Sequence, residues 1–262
     1  MKTRLDAELV RRELARSREN AVELIASGKV LVNGIPATKA ATQVDAQISI
    51  TLKDEQDEFV SRGGHKLAGA LDHFVKLNVK DKVALDAGAS TGGFTDVLLK
   101  RGAKMVVAAD VGYGQLAWQL QSDPRVKILD RVNVRSLTKQ QVGQEIDLVV
   151  ADLSFISLKI VLPALIEVAK EEADFLVMVK PQFEVGKEKL GAGGVVRDAA
   201  LRKLAVAAVA DAAFSLGLGC LGVVASPLPG PSGNVEYFLW LSKAGEPLLE
   251  VDLDLAIERG PA

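Results

Sequence analysis

The sequence predicts an α/β protein: an open, mostly parallel sheet with one reversed strand, preceded by a small α+β unit. Three observations predict it. From Val83 onward, short runs of buried-type residues alternate with helical patterns, as a parallel sheet with crossover helices requires. The first of those runs ends in Asp86 and a loop with glycines at 88, 92 and 93. The first fifty residues carry their own helices and strands, and the polar run Lys53–Glu58 sets them apart. The expected division is 1–56, a linker over 57–62, and 63–262.

In the first unit, Asp6 is placed to cap a helix bearing Leu9, Val10 and Leu14. Ser17 caps a second, bearing Val22, Leu24 and Ile25, which Gly28 ends. Val30–Val32 reads as a strand entering an Asn33-Gly34 turn, and 47–52 alternates with Ile48, Ile50 and Leu52 on one side. Residues 1–50 hold eight Lys or Arg against six Asp or Glu, a net of +2. Arg4, Arg11, Arg12, Arg16 and Arg18 crowd its helices; on charge alone, a solvated face paired with Glu8, Glu13 and Glu19 competes evenly with a nucleic-acid surface.

In the second unit, Gly63 and Gly64 precede a helix with Leu67, Ala70, Leu71 and Phe74 at helical spacing. Strands are expected at 83–85, 105–110, 126–129, 146–151 and 175–179. Helices are expected at 94–101, 115–122, 156–169 and 198–216. The last two strands, near 221–225 and 235–241, are joined without a helix, so one must run antiparallel. A parallel sheet with a reversed strand near its edge is the arrangement of methyltransferases that use S-adenosylmethionine (SAM).

Composition narrows the function. With a net charge of −2, no global positive field draws the chain to nucleic acid, so such binding needs a local patch. A single cysteine, Cys220, excludes an internal disulfide and is compatible with a cytoplasmic location. Two histidines and that cysteine leave too few ligands for a structural zinc site, so no metal is expected. Residues 204–225 reach the length of a membrane span with one charge, Asp211, but Gly217 and Gly219 divide them into a buried helix and a buried strand. No stable membrane insertion is expected.

The glycine loop decides the ligand class. Gly88 to Gly93 nearly fits a phosphate loop, yet Phe94 stands where the phosphate-binding lysine belongs; Ser90 stands where the dinucleotide pattern needs its second glycine. A carboxylate followed by a glycine loop suits a ligand with hydroxyls and a cationic amino acid, and SAM is such a ligand. The expected cofactor contacts are Asp86, Gly88, Ala89, Ser90, Thr91, Gly92, Gly93 and Phe94. Asp110 lies 22 residues past Gly88, the distance of a ribose-binding carboxylate, and Asp130 follows the third strand, placed for an adenine amino group.

Asp152 and Lys180 each follow an apolar strand, Glu236 begins the last strand, and Lys66 opens the helix after Gly64. A lone lysine at a strand end is usually a snorkelling surface residue; two lysines with two carboxylates suit methylation of a sugar hydroxyl. A ribose 2′-hydroxyl is a weak acid whose proton must leave as the methyl arrives, and a neutral amine is a competent base. Lys180 is assigned as base, Asp152 and Glu236 as its orienting groups, and Lys66 as the residue positioning the ribose. The Asp/Asn-Pro-Pro-aromatic signature of base amino methylation is missing, since the chain has Asp152-Leu-Ser-Phe155. Cys220 sits in an apolar stretch with no base nearby, unlike a nucleophile for methylation at carbon.

Two resemblances sharpen this reading. Arg4-Leu-Asp6, Ser17-Arg-Glu-Asn-Ala21, Leu24-Ile25, Gly28-Lys-Val-Leu-Val-Asn-Gly34 and Lys39 resemble the small RNA-binding domain named after ribosomal protein S-four. That resemblance implies that Arg4, Arg18, Asn33 and Lys39 face RNA. The Lys66, Asp152, Lys180, Glu236 set resembles the tetrad of FtsJ-type ribose methyltransferases. The phrases Ser61-Arg-Gly-Gly-His-Lys66, Asp86-Ala-Gly-Ala-Ser-Thr-Gly-Gly-Phe94, Ala151-Asp-Leu-Ser-Phe-Ile-Ser157, Val179-Lys-Pro-Gln-Phe-Glu184 and Ser232-Gly-Asn-Val-Glu236 are similar to the TlyA family. This likeness implies 2′-O-methylation of cytidine in 16S or 23S ribosomal RNA, with ribosomal subunits as partners and a link to capreomycin susceptibility. It also implies that Phe155 and Ser232 lie near the cofactor or nucleotide and that Arg62 meets RNA.

Two other readings compete. The family was first described as haemolysins, and a membrane-damaging protein would need a signal, a long amphipathic helix or a convincing span. The other is a non-catalytic RNA-binding protein with a SAM-binding fold.

Overall fold

The computed structural model describes residues 2–12, 14–15, 17–33, 35–45, 48–52, 59–186, 188, 190–230 and 232–260. Glu13, Arg16, Gly34, Gln47 and the polar run 53–58 lie outside the described residues. The chain divides into two units, Met1–Glu58 and Phe59–Ala262.

The first unit runs β1 (Lys2–Arg4), α1 (Leu5–Arg11), α2 (Arg18–Ala26), β2 (Val30–Val32), β3 (Ile35–Pro36), β4 (Gln43–Asp45) and β5 (Ile50–Leu52). β1 pairs with β4, and β2 lies between β3 and β5, all antiparallel. Leu5, Leu9, Ala21, Ile25, Val30, Val44 and Ile50 form its core. Ser17 caps α2 as expected, its Oγ accepting from Asn20 N at 3.1 Å. Asp6 does not cap α1. Arg4 holds that place, and the buried Asp6 carboxylate accepts instead from Arg4 (2.8 Å), Arg18 (3.2 Å) and Ala7 N (2.8 Å). Arg4 above all holds Asp6 well below the usual carboxylate range. Arg11 and then Arg12 hold the buried Glu8 down to about 2.

The second unit begins with α3 (Arg62–His73), followed by β6 (Val83–Ala87), α4 (Gly93–Lys100), β7 (Met105–Ala109), α5 (Trp118–Gln121) and β8 (Val126–Leu129). It continues through α6 (Lys139–Val142), β9 (Ile146–Ala151), α7 (Leu158–Val168), β10 (Ala169–Val179), α8 (Ala199–Ser215), β11 (Gly219–Ala225), β12 (Tyr237–Ser242) and α9 (Glu250–Glu258). The strands form one sheet in the order β11-β12-β10-β9-β6-β7-β8. β12 runs antiparallel to both neighbours and the other pairings are parallel, so the reversed strand sits one place in from the edge.

Strand alternation sorts the core onto two faces. Leu85, Ala87, Val107, Val149 and Val177 pack with α7, α8 and α9, while Ala84, Val106, Leu148, Val150 and Leu176 pack with α3 and α4. Apolar residues on both faces are what a sheet covered by helices on each side demands.

Residues 204–225 resolve into most of α8 and all of β11, with Gly217 at φ 86 between them. Among the described residues no helix is long and apolar enough to cross a membrane. Most boundaries fall within three residues of expectation, and the largest difference is at β10, which starts at Ala169 because the exposed polar run Lys170–Glu172 extends the strand before its buried part.

Candidate active site

Strand register brings the site together. Ala87 pairs with Ala151 and Ala151 with Val177, so Gly88, Asp152 and Lys180 emerge at one edge of the sheet. Because β12 is reversed, Val179 pairs with Tyr237, and Glu236 reaches that same edge from the start of its strand.

The four expected catalytic residues resolve into two ion pairs. Lys66 Nζ donates to Glu236 Oε2 at 2.5 Å, and both side chains are buried. Lys180 Nζ lies 2.6 Å from Asp152 Oδ1, while its directed hydrogen bond goes to Ser154 Oγ at 3.0 Å. Lys66, Asp152, Ser154 and Lys180 line one cavity of about 230 Å³ together with the glycine loop.

The glycines have distinct reasons. Gly88 has φ 88, and a Cβ there would stand 2.7 Å from Asp152 O. A Cβ on Gly93 would collide with Ser61 Oγ and lie 2.8 Å from Gly64 N. The loop is therefore clamped between the end of β9 and the start of α3. Gly88, Ala89, Ser90, Thr91, Gly93 and Phe94 line the cavity, and Arg62 stands exposed on its wall.

Asp86 is fully buried behind the loop. Its Oδ2 accepts from Thr95 Oγ1 at 2.6 Å, and Oδ1 has no protein partner. Burial, aided by the charges of Asp152 and Asp110, raises its pKa to about 7. Asp110 accepts from Ser90 N (2.8 Å) and Gly112 N (2.7 Å), and Asp130 from Gly114 N (3.0 Å). These two carboxylates brace loop backbone beside the cavity and do not line it.

Phe155 is 91% exposed with φ 65, its ring 5.2 Å from that of Phe183. Ser232 is exposed in the turn closed by Gly230 N donating to Asn234 O at 2.8 Å. In the first unit, Lys39 and Asn33 are exposed, whereas Arg4 and Arg18 share Asp6. Burial pushes the Cys220 thiol up to about 11, consistent with an inert sulfur. Among the described residues no His, Cys, Asp and Glu group is placed to hold a metal ion.

Ser61, Gly63, Ser154 and Pro229 also line the cavity and were not anticipated as site residues. Ser154 has a faint signal, standing two residues beyond Asp152 in the same strand-end loop. Nothing local marks Pro229.

The reversed strand next to the edge, with a glycine-clamped cavity over the carboxyl ends of the central strands, places the protein among the methyltransferases. Comparison with known proteins narrows this. The chain belongs to the FtsJ-like methyltransferase family, whose model matches residues 59–243, and an S4 domain matches residues 3–47. It is 61% identical over 241 residues to the 16S/23S rRNA (cytidine-2'-O)-methyltransferase TlyA of Mycobacterium tuberculosis, covering 92% of this chain and 90% of the relative. A Bacillus subtilis protein provisionally named as an rRNA methyltransferase is 41% identical over 94% of this chain and 87% of its own length. A solved Streptococcus thermophilus structure, provisionally described as a hemolysin, superposes with a TM-score of 0.74 at 36% identity, covering 98% of this chain and 95% of that one.

Proposed function

We infer that this chain methylates the 2′-hydroxyl of a cytidine in 16S or 23S ribosomal RNA, using SAM and Lys180 as general base. The observation that carries the reading is Lys180 Nζ held by Asp152 and Ser154 in the cavity that Lys66 and the glycine loop also line. The 61% identity to a cytidine-2'-O-methyltransferase supports the substrate class.

The residues present fit the cofactor. Gly88 and Gly93 line the cavity while packed against Asp152 and Ser61 at distances a side chain would forbid, which sets the loop backbone where a ligand can meet it. Behind the loop, Asp86 Oδ1 is a buried acceptor without a partner. Gly88–Phe94 would hold SAM, with Asp110 and Asp130 shaping the adjoining loops. When bound, SAM supplies an electrophilic methyl on a sulfonium.

The chain's own residues do the rest. Lys180, once its ammonium has given up a proton, takes the 2′-hydroxyl proton as the oxygen attacks, and Asp152 and Ser154 fix the direction of its amine. Lys66, held by Glu236, donates to the ribose and keeps it in line. Placing the two reactants at near-attack distance supplies most of the acceleration.

Residues 1–56 grip RNA by shape and phosphate contacts through Arg4, Arg18, Asn33 and Lys39. The catalytic domain is the second unit, Phe59–Ala262, where Arg62, Phe155 and Ser232 meet a nucleotide turned out of its helix. The reaction takes place in the cytoplasm, where ribosomal subunits are. Labelled SAM incubated with unmodified ribosomal subunits, followed by mapping, tests the assignment: label on a cytidine ribose supports it, and label on a base overturns it.

A further inference from the structure

Glu184 lies four residues beyond Lys180 and does not line the cavity, yet its side chain is only 1% exposed. Its carboxylate crosses to the neighbouring loop. Oε2 accepts from Ser157 Oγ at 2.6 Å and Oε1 from Leu158 N at 2.7 Å, at the first turn of α7. Lys159 Nζ stands at 3.9 Å.

These contacts complete a ring. Lys180 leads into a 3-10 turn, Pro181–Phe183, stiffened by Phe183 N donating to Lys180 O (2.9 Å) and Glu184 N to Pro181 O (3.0 Å). Glu184 then bridges to Ser157, and the chain from Ser157 back to Asp152 carries Phe155 and Ser154. The ring closes where Lys180 meets Ser154 and Asp152. Phe155 holds a left-handed φ of 65, a strained conformation that persists only when both ends of its loop are fixed. Glu184 supplies one of those fixed ends.

We propose that Glu184 is a positioning residue for methyl transfer: by latching the loop after β9 to the loop after β10, it holds Lys180 Nζ against Asp152 and Ser154. The proposal rests on the reading of Lys180 as base. A carboxylate accepts from both donors without rearrangement. An amide offers one acceptor oxygen for Leu158 N and forces the Ser157 hydroxyl to turn round and accept, which shifts the latch.

The test uses full-length Glu184→Gln, Ser157→Ala, their double variant and Lys180→Ala, assayed on ribosomal subunits with kcat and both KM values measured separately. Glu184→Gln is expected to lower kcat by about 10- to 100-fold, the scale of a displacement under 1 Å, with both KM values within about threefold. Because the two residues share one contact, the double variant should be no slower than Glu184→Gln. An unchanged kcat, or losses that simply multiply, overturns the latch. Should Glu184→Gln melt early, Ser157→Ala alone decides: a lowered kcat at unchanged KM supports the latch, and an unchanged kcat overturns it. An inactive Lys180→Ala beside a fully active Glu184→Gln rejects the latch alone, whereas an active Lys180→Ala rejects the base on which it rests.

Discussion

Lys66 and Glu236, 170 positions apart in the chain, form a buried ion pair with Nζ 2.5 Å from Oε2. Each charge is tolerable in that place only because of the other, since an unpaired ion out of water is strongly unfavourable. Glu236→Ala should therefore destabilise the protein by about 3–5 kcal/mol. A Lys66→Met/Glu236→Leu double variant should regain much of that stability while remaining inactive. Denaturant midpoints alongside methyl transfer check both parts.

Asp86 makes stability depend on pH. Its pKa is raised from 3.8 to about 7, mainly by burial, so the folded state keeps a proton that the unfolded chain has lost. Stability from this group is present at low pH and declines by roughly 1.4 kcal/mol per pH unit as pH rises through that window. Asp86→Asn keeps an acceptor for Thr95 and has no proton to lose. Denaturation of both proteins between pH 5 and 8 should show the slope shallower in the variant; equal slopes would remove Asp86 as its source.

Gly88→Ala should displace the glycine loop against the end of β9 and so weaken cofactor binding, with some loss of stability. The residue has φ 88, and an added Cβ would meet Asp152 O at 2.7 Å. Titration calorimetry with SAM should show at least about tenfold weaker binding, 1.4 kcal/mol or more. Wild-type affinity would mean that the loop is not the ligand cradle.

Lys39, exposed in the first unit, is the cleanest probe of RNA binding, because Arg4 and Arg18 also pair with Asp6. Lys39→Ala should flatten the slope of log affinity against log salt by about 0.7–0.9, the signature of one lost phosphate contact. An unaltered slope would place Lys39 outside the RNA interface.

Much of this was legible because sheets write their order into sequence. Apolar runs such as Leu148–Ala151 and Phe175–Val179 mark buried parallel strands, and the polar residue after each run must appear at the sheet edge. Asp152 and Lys180 could be found in this way. How the four charged residues divide into pairs was not legible, because it depends on the register that sets Val179 against Tyr237. Ser154 and the bridge from Glu184 to Ser157 depend on loop geometry that no local pattern encodes. Asp6 misled for a related reason: the helix begins one residue before it, at Leu5, and Arg4 and Arg18 claim its carboxylate.

The most direct test of Lys180 is a single-turnover rate with labelled SAM on unmodified ribosomal subunits, comparing wild type with Lys180→Ala at saturating cofactor and RNA. The account predicts a loss of at least about 100-fold in the transfer step, the usual contribution of a general base, with cofactor and RNA affinities retained. Transfer at the wild-type rate would contradict it.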